Sequence, residues 1–268
     1  MMHPDASHPK SKVSETSVFR EMDGTFSKAR LYRECALIVG PPGIGKTTGL
    51  QEMSRRDPSI ILITATSANG AKTPFFRFLA DHISERTIHF RRHDRQPLHD
   101  LFLRMGETLQ EELPDFAIAA DESQNIQPDA TRLLLDLNEF FGVPILLVGN
   151  PHTLKSTKAN QEALNQIWDR IEGHRHEFRG VGSGDVVAIA ADHDVEGVDA
   201  YRYLEAFMLD RSLRRLASLL REARIYAGPQ GSIRLPHLRK AVAVLHSEGE
   251  DRGLFKLIPK PRKEENAA

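Results

Sequence analysis

Five short apolar runs punctuate the chain, at residues 36–39 (ALIV), 60–63 (IILI), 116–120 (FAIAA), 145–148 (ILLV) and 186–190 (VVAIA). Each is too short for a helix, and unbroken apolar character is what a strand buried on both faces requires. Between the runs, apolar residues recur at helical spacing. Residues 75–83 form one such stretch, and 131–141 another, with Leu133, Leu134, Leu137 and Phe140. Phe19, Met22, Phe26 and Leu31 place a short helix ahead of the first strand. This alternation predicts an α/β fold with a parallel sheet covered on both faces. After about Asp199 the strands stop, and amphipathic helices are predicted at 201–209, 212–226 and 236–246. Gly228-Pro229 closes the second of these, and Pro236 stands where a first-turn proline opens the third. The pattern divides the chain into a flexible arm (1–18), an α/β domain (19–199), a helical lid (200–250) and a basic tail (251–268).

Candidate chemistry sits where the runs end. Directly after the first, Gly40-Pro41-Pro42-Gly43-Ile44-Gly45-Lys46-Thr47, with Thr48 following, fits G-x-x-x-x-G-K-[ST] in full. Glycines let backbone N–H groups turn onto phosphates, and a helix N-terminus adds partial positive charge. Lys46 is then placed for the β and γ oxygens and Thr47 for magnesium. The run 116–120 leads into Asp121-Glu122. Asp121 would hold magnesium through water, and Glu122 would polarise the attacking water. Asn150, after the fourth run, is placed to orient that water or sense the γ-phosphate; its plainer role is a turn-forming asparagine. The cofactors implied are ATP and Mg2+. The strand at 60–63 and a helical segment separate the two motifs, so an additional strand is expected between the P-loop strand and the acid strand. That disfavours the simple nucleotide kinases.

Composition narrows the setting. With 40% hydrophobic residues and no apolar run near the roughly 18 that a membrane span needs, a soluble protein without membrane contact is expected. A single cysteine, Cys35, cannot close an internal disulfide, and the chain opens without a signal-peptide pattern, so a reducing cytoplasm is the expected compartment. The net charge of -1 excludes a protein that coats nucleic acid by bulk charge, so any such surface must be local. Residues 86–95 (RTIHFRRHDR) supply one candidate: Arg86, Arg91, Arg92 and Arg95, with Phe90 among them, could track DNA phosphates. Helix 212–226, with Arg211, Arg214, Arg215, Arg221 and Arg224, could face DNA or a neighbouring subunit, and the tail adds Lys256, Lys260, Arg262 and Lys263. The plainer reading of each is a solvated surface. His89 with His93 and His174 with His176 have no cysteine cluster or HExxH beside them, so no metal beyond the nucleotide's magnesium is expected.

Taken together, GPPGIGKTT, DESQ, the strand ending VGN and the later GSIR resemble an AAA+ ATPase over about residues 20–250. DESQ and Lys72-Thr73-Pro74-Phe75-Phe76 are similar to the transposition helper ATPases MuB, TnsC and TniB and the related ExeA-type ATPases. The resemblance implies a five-stranded nucleotide sheet with a helical lid. It also implies ATP-driven homo-oligomers, rings or helical filaments, on double-stranded DNA, and recruitment of a transposase. By the same resemblance Gly40, Gly45, Lys46 and Thr47 match Walker A, and Asp121 and Glu122 match Walker B. Asn150 matches sensor 1, and Arg234 of Gly231-Ser232-Ile233-Arg234 matches sensor 2. The arginine finger reaching a neighbouring subunit falls to Arg170 in Trp168-Asp169-Arg170-Ile171, with Arg175 and Arg179 as alternatives. The pattern departs from the family at Ala119-Ala120, small for an acid strand, in the lid spacing, and in leaving no room for an N-terminal helix-turn-helix domain. Beside a DNA-bound regulator of transposition stand an ExeA-like ATPase that remodels a protein partner without DNA, and a scaffold that binds ATP and hardly hydrolyses it.

Overall fold

The computed structural model describes residues 14–90, 96–150, 167, 170–209, 211–246 and 248–257. Arg91, Arg92, Arg95, Lys260, Arg262 and Lys263 lie outside the described residues. Two compact units emerge, one spanning Val18–Gly180 and the other joining the described residues up to Ser17 to those from Val181 onward. The first holds α1 (Ser17–Tyr32), β1 (Cys35–Val39), α2 (Lys46–Arg56), β2 (Ile60–Thr64), α3 (Lys72–Ser84) and α4 (Leu98–Glu111). It continues through β3 (Ala117–Asp121), a 3-10 turn (Ser123–Asn125), α5 (Pro128–Phe141), β4 (Ile145–Gly149) and β5 (Arg175–Glu177).

These strands form one sheet in the order β2-β3-β4-β1-β5, with every pairing parallel. β1, β3 and β4 are buried along their whole length, as their apolar runs require. On one face Leu37, Ile61, Ile118 and Leu147 meet Phe75, Phe76, Leu79, Phe102, Met105, Leu134 and Leu137 from α3, α4 and α5. Each fully buried Leu or Ile side chain stabilises the fold by about 1.5–3 kcal/mol relative to exposure. Strand alternation turns Ala119 to the opposite face, where it is fully buried.

A strand does lie between the P-loop strand and the acid strand, but it is β4 rather than residues 60–63. β2 occupies the edge beyond β3, because the chain leaves β1 for the far edge and returns strand by strand. Residues 186–190 are also not a strand; they belong to α6 (Ser183–Asp192). Only Val186 and Ala190, four apart, are buried there, while Val187 is 42% exposed. One-sided burial at helical spacing is satisfied by a helix, whereas a central strand needs both faces covered. The fifth strand is instead the polar Arg175–Glu177, paired to Leu37, Ile38 and Val39 at the sheet edge.

The second unit adds α7 (Val198–Met208), α8 (Leu213–Ala227), α9 (Leu235–Leu245) and α10 (Glu248–Leu257) to α6. Its core contains Tyr203, Phe207, Leu216, Leu220, Leu238 and Val242. Since residues 186–190 join this core, the division falls at Val181, not near Asp199. The Tyr203 hydroxyl donates to Asp251 at 2.8 Å, and Arg239 forks onto the same carboxylate, linking α7, α9 and α10. Burial, then the Asp251 carboxylate, pushes the Tyr203 hydroxyl above its ordinary range. Among the described residues, no helix is long and apolar enough to cross a membrane.

The loop after β2 lies against the 3-10 turn. Ala65 N–H donates to Asp121 O at 2.9 Å, Asn125 Nδ2 to Ala65 O at 3.0 Å, and Gln127 N–H to Gly70 O at 2.9 Å. A Cβ on Gly70 would fall 1.8 Å from Asn125 O. Gly70→Ala is therefore expected to destabilise the protein by about 1–3 kcal/mol, read as a lowered thermal midpoint; an unchanged midpoint would mean the loop yields freely. Cys35 is 4% exposed and its thiol is pushed up to about 12, chiefly by burial. It should stay unmodified by a thiol reagent in native buffer and react once denaturant unfolds β1, and prompt native labelling would contradict that packing.

Candidate nucleotide site

The loop that leaves β1 is shaped by positions that only glycine can fill. Gly40 N–H donates to Gly149 O at 3.2 Å, tying the loop's first residue to the end of β4. A Cβ at Gly40 would stand 2.6 Å from Ile44 Cδ1 and 2.9 Å from Phe178 Cβ. Gly43 and Gly45 have φ of 77° and 101°, in the left-handed region that other residues avoid. Ile44 is buried and pins the loop to the core, so its contribution to a ligand is its backbone; Pro42 is exposed and Pro41 half-buried. Gly45 precedes α2, whose first turn carries no side-chain cap. Its N–H groups and partial positive charge therefore suit an anion.

Lys46 is 8% exposed, and its Nζ donates to Gly40 O at 2.7 Å and Pro41 O at 2.9 Å. Burial lowers its pKa, opposed by the nearby Glu122 and Asp121 carboxylates. The ammonium thus spans the loop and is available to exchange carbonyl oxygens for phosphate oxygens. Asp121 ends β3, with its carboxyl pushed up by burial and held down in turn by the Thr47 hydroxyl and the Glu122 N–H. That N–H donates to Asp121 Oδ1 at 2.8 Å. A hydroxyl and a carboxylate meeting in this way supply two hard oxygen donors. They fit magnesium, which binds few protein ligands and completes its shell with phosphate and water. Thr47 and Thr48 are exposed at the start of α2. Among the described residues, no cluster of three His, Cys, Asp or Glu side chains forms a separate metal site.

Glu122 follows in a left-handed conformation, φ 54° and ψ 39°, which costs a non-glycine residue about 1–3 kcal/mol. Its carboxylate accepts a hydrogen bond from Gln124 Nε2. Gln124 Oε1 in turn accepts from Asn150 N–H at 3.2 Å. The structure therefore brings Lys46, Thr47, Asp121, Glu122 and Asn150 to one end of the sheet. It adds Gln124 of DESQ, whose only signal in the sequence is a polar residue two beyond the acid.

The arginines are placed differently. Arg170 pairs with Asp136 and Glu139 of α5, each at 2.8 Å, so it is held within its own chain. Arg175 pairs with Glu177 at 3.2 Å. Arg179 is exposed two residues beyond Glu177, which registers with Val39, and so lies toward the P-loop end of the sheet. In the helical unit, Arg234 precedes α9 and pairs with Glu196 at 3.0 Å. Arg86 is half-buried and donates to His82 O at 2.8 Å. Phe90, grouped by sequence with the basic loop, is 1% exposed beneath the Arg104 guanidinium and serves the core. On α8, Arg214, Arg215 and Arg221 are exposed. Arg211, just before it, pairs with Glu250, and Arg224 binds His193 O and Gly231 O.

Residues 29–156 match the family model described as AAA domain. Among solved structures the chain is similar to the Aeropyrum pernix ORC2 protein in its ADPNP-ADP complexes, with a TM-score of 0.63 and 17% identity, covering 87% of this chain and 70% of that one. It is also similar to Cdc6p from Pyrobaculum aerophilum, with a TM-score of 0.58 and 16% identity, covering 90% of this chain and 69% of that one. No curated protein matches in sequence. Identities this low carry the fold alone. The chain thus has the P-loop AAA+ fold, a parallel five-stranded sheet with surrounding helices followed by a helical C-terminal unit.

Proposed function

We propose that this protein is a magnesium-dependent ATPase that assembles with itself on double-stranded DNA while ATP is bound, and that it regulates transposition by recruiting or activating a transposase. The observation that carries the ATPase reading is Glu122, fixed by Gln124 close enough to Lys46 and Asp121 to influence both. A site that only bound nucleotide would need no such acid.

In this reading the loop N–H groups and Lys46 grip the phosphates, and Thr47 with Asp121 hold the magnesium, which offsets phosphate charge when bound. Glu122 accepts a proton from water as its oxygen attacks the γ-phosphorus, and ADP and phosphate leave. Asn150, at the end of β4, senses the γ-phosphate. Arg234, in the helical unit, matches the lid arginine of the resembled family through its place in GSIR. The trans arginine requires a neighbouring subunit. Arg170 would first have to leave Asp136 and Glu139, whereas Arg179 is already exposed. For DNA, Arg214, Arg215 and Arg221 present charge on one helix, and Arg86 opens the other basic segment. The link to transposition rests on DESQ and KTPFF.

Co-sedimentation with duplex DNA should require ATP and should be lost in Lys46→Ala. Glu122→Gln should stay on DNA with ATP while phosphate release falls about 10²-fold or more. Binding that ignores nucleotide would overturn the switch, and unchanged turnover would remove Glu122 from its role. Acid should weaken Mg-ATP binding through Asp121. Because burial raises its pKa above the ordinary 3.8, the protonated form, which cannot hold the ion, appears at higher pH than for a free aspartate. Nucleotide titrations at several pH values should show this loss in the wild type and not in Asp121→Asn; matching profiles would refute it.

A further inference from the structure

Gln124 leaves the backbone from a base that cannot shift easily. Its 3-10 turn is closed by Asn125 N–H to Glu122 O at 2.8 Å and Ile126 N–H to Ser123 O at 3.1 Å. Asn125 Nδ2 then ties the turn to Ala65 O at 3.0 Å, beyond the end of β2. The orientation of the side-chain amide follows from its partners. Asn150 N–H is a donor, so Oε1 must face it; Nε2 then faces the Glu122 carboxylate, which can only accept. β3 and β4 are sheet neighbours with Ala120 opposite Leu147, so the acid and Asn150 emerge side by side. One carboxamide spans the gap between them.

We infer that Gln124 is a positioning residue for hydrolysis: it holds Oε2 of Glu122 so that the other carboxylate oxygen is left for water, and it ties that aim to the end of β4. The inference rests on the reading of Glu122 as the water-activating acid. A glutamate side chain has three rotatable bonds, and each orientation other than the productive one lowers the rate. A group that removes this freedom contributes through placement rather than through ground-state binding. A side chain filling this place must donate on one side and accept on the other. Glutamine does so, and a neutral histidine has one donor and one acceptor nitrogen. Methionine matches the length without either hydrogen bond, and glutamate would set a second negative charge against the first. Asn150 becomes the natural input, because any shift of its N–H on meeting a γ-phosphate moves the amide and with it the acid.

Phosphate release at saturating Mg-ATP, binding of a fluorescent ATP analogue and thermal unfolding should be measured on six proteins: the wild type, Gln124→Ala, Gln124→Met, Gln124→His, Glu122→Gln and the double variant Glu122→Gln/Gln124→Ala. Gln124→Ala and Gln124→Met should lose about 10²-fold in kcat with nucleotide affinity and thermal midpoint unchanged. Gln124→His should recover part of the rate, and the double variant should be no slower than Glu122→Gln. Wild-type turnover in Gln124→Ala would overturn the inference, as would additive losses in the double variant. A joint fall in kcat, affinity and midpoint in both Gln124→Ala and Gln124→Met would show a structural role and overturn it too. Normal turnover in Glu122→Gln is a separate signature: it would overturn the reading of Glu122 itself and this inference with it.

Discussion

The close approach at Gly40 sets the rest of the site. Its Cα lies against Ile44 and Phe178 with no room for a side chain, and its N–H is tied to Gly149. That contact fixes where the loop starts between β4 and the edge strand. From there Gly43 and Gly45 bend the backbone through left-handed conformations, and α2 begins without a side-chain cap, its first N–H groups lacking partners within the helix. Lys46 can then fold back onto the carbonyls of Gly40 and Pro41. A side chain at Gly40 would displace either Ile44 or Phe178, and with them the tie between the loop and the sheet.

Sheet order supplies the second half. Because β4 separates β1 from β3, the exits of three adjacent strands carry Gly40, Asn150 and Asp121-Glu122. Several polar groups there satisfy one another: Asp121 with Thr47 and the Glu122 N–H, Glu122 with Gln124, Gln124 with Asn150. Burying charge in this way is tolerated because each group has a partner. It also leaves groups that a nucleotide can recruit without rebuilding the fold.

Near-zero net charge conceals an uneven use of arginine. Arg30 is tied to Asp57, Arg239 to Asp251, Arg211 to Glu250 and Arg170 to α5, where they join elements within a unit. Arg214, Arg215 and Arg221 instead stand exposed on α8. A cluster of charge counts toward phosphate recognition only after the cations already paired inside the protein are removed, and on α8 that leaves three.

The P-loop was legible from order and spacing because its residues are local: a strand, eight residues and a helix carry the whole candidate phosphate cradle. Asp121, Glu122 and Asn150 were legible for the same reason, each ending an apolar run. Helix α4 carries Leu101, Phe102, Met105 and Leu109 at helical spacing, a signal masked by the charged segment before it. Residues 186–190 misled because a run of small and branched apolar residues suits either a buried strand or a helix with one buried side, and only packing in the helical unit chooses. β5 has no apolar run, since an edge strand of three residues is specified by its neighbour β1 and not by its own side chains. Gln124 meets Asn150, 26 residues away in the chain, and no spacing rule encodes that meeting. Sequence alone therefore determined which residues make up the candidate nucleotide site, because that pattern is written in adjacent positions. Tertiary structure decided which strand lies between them, which arginines stand exposed among the described residues and which side chain meets the acid, because those depend on packing between segments distant in the chain.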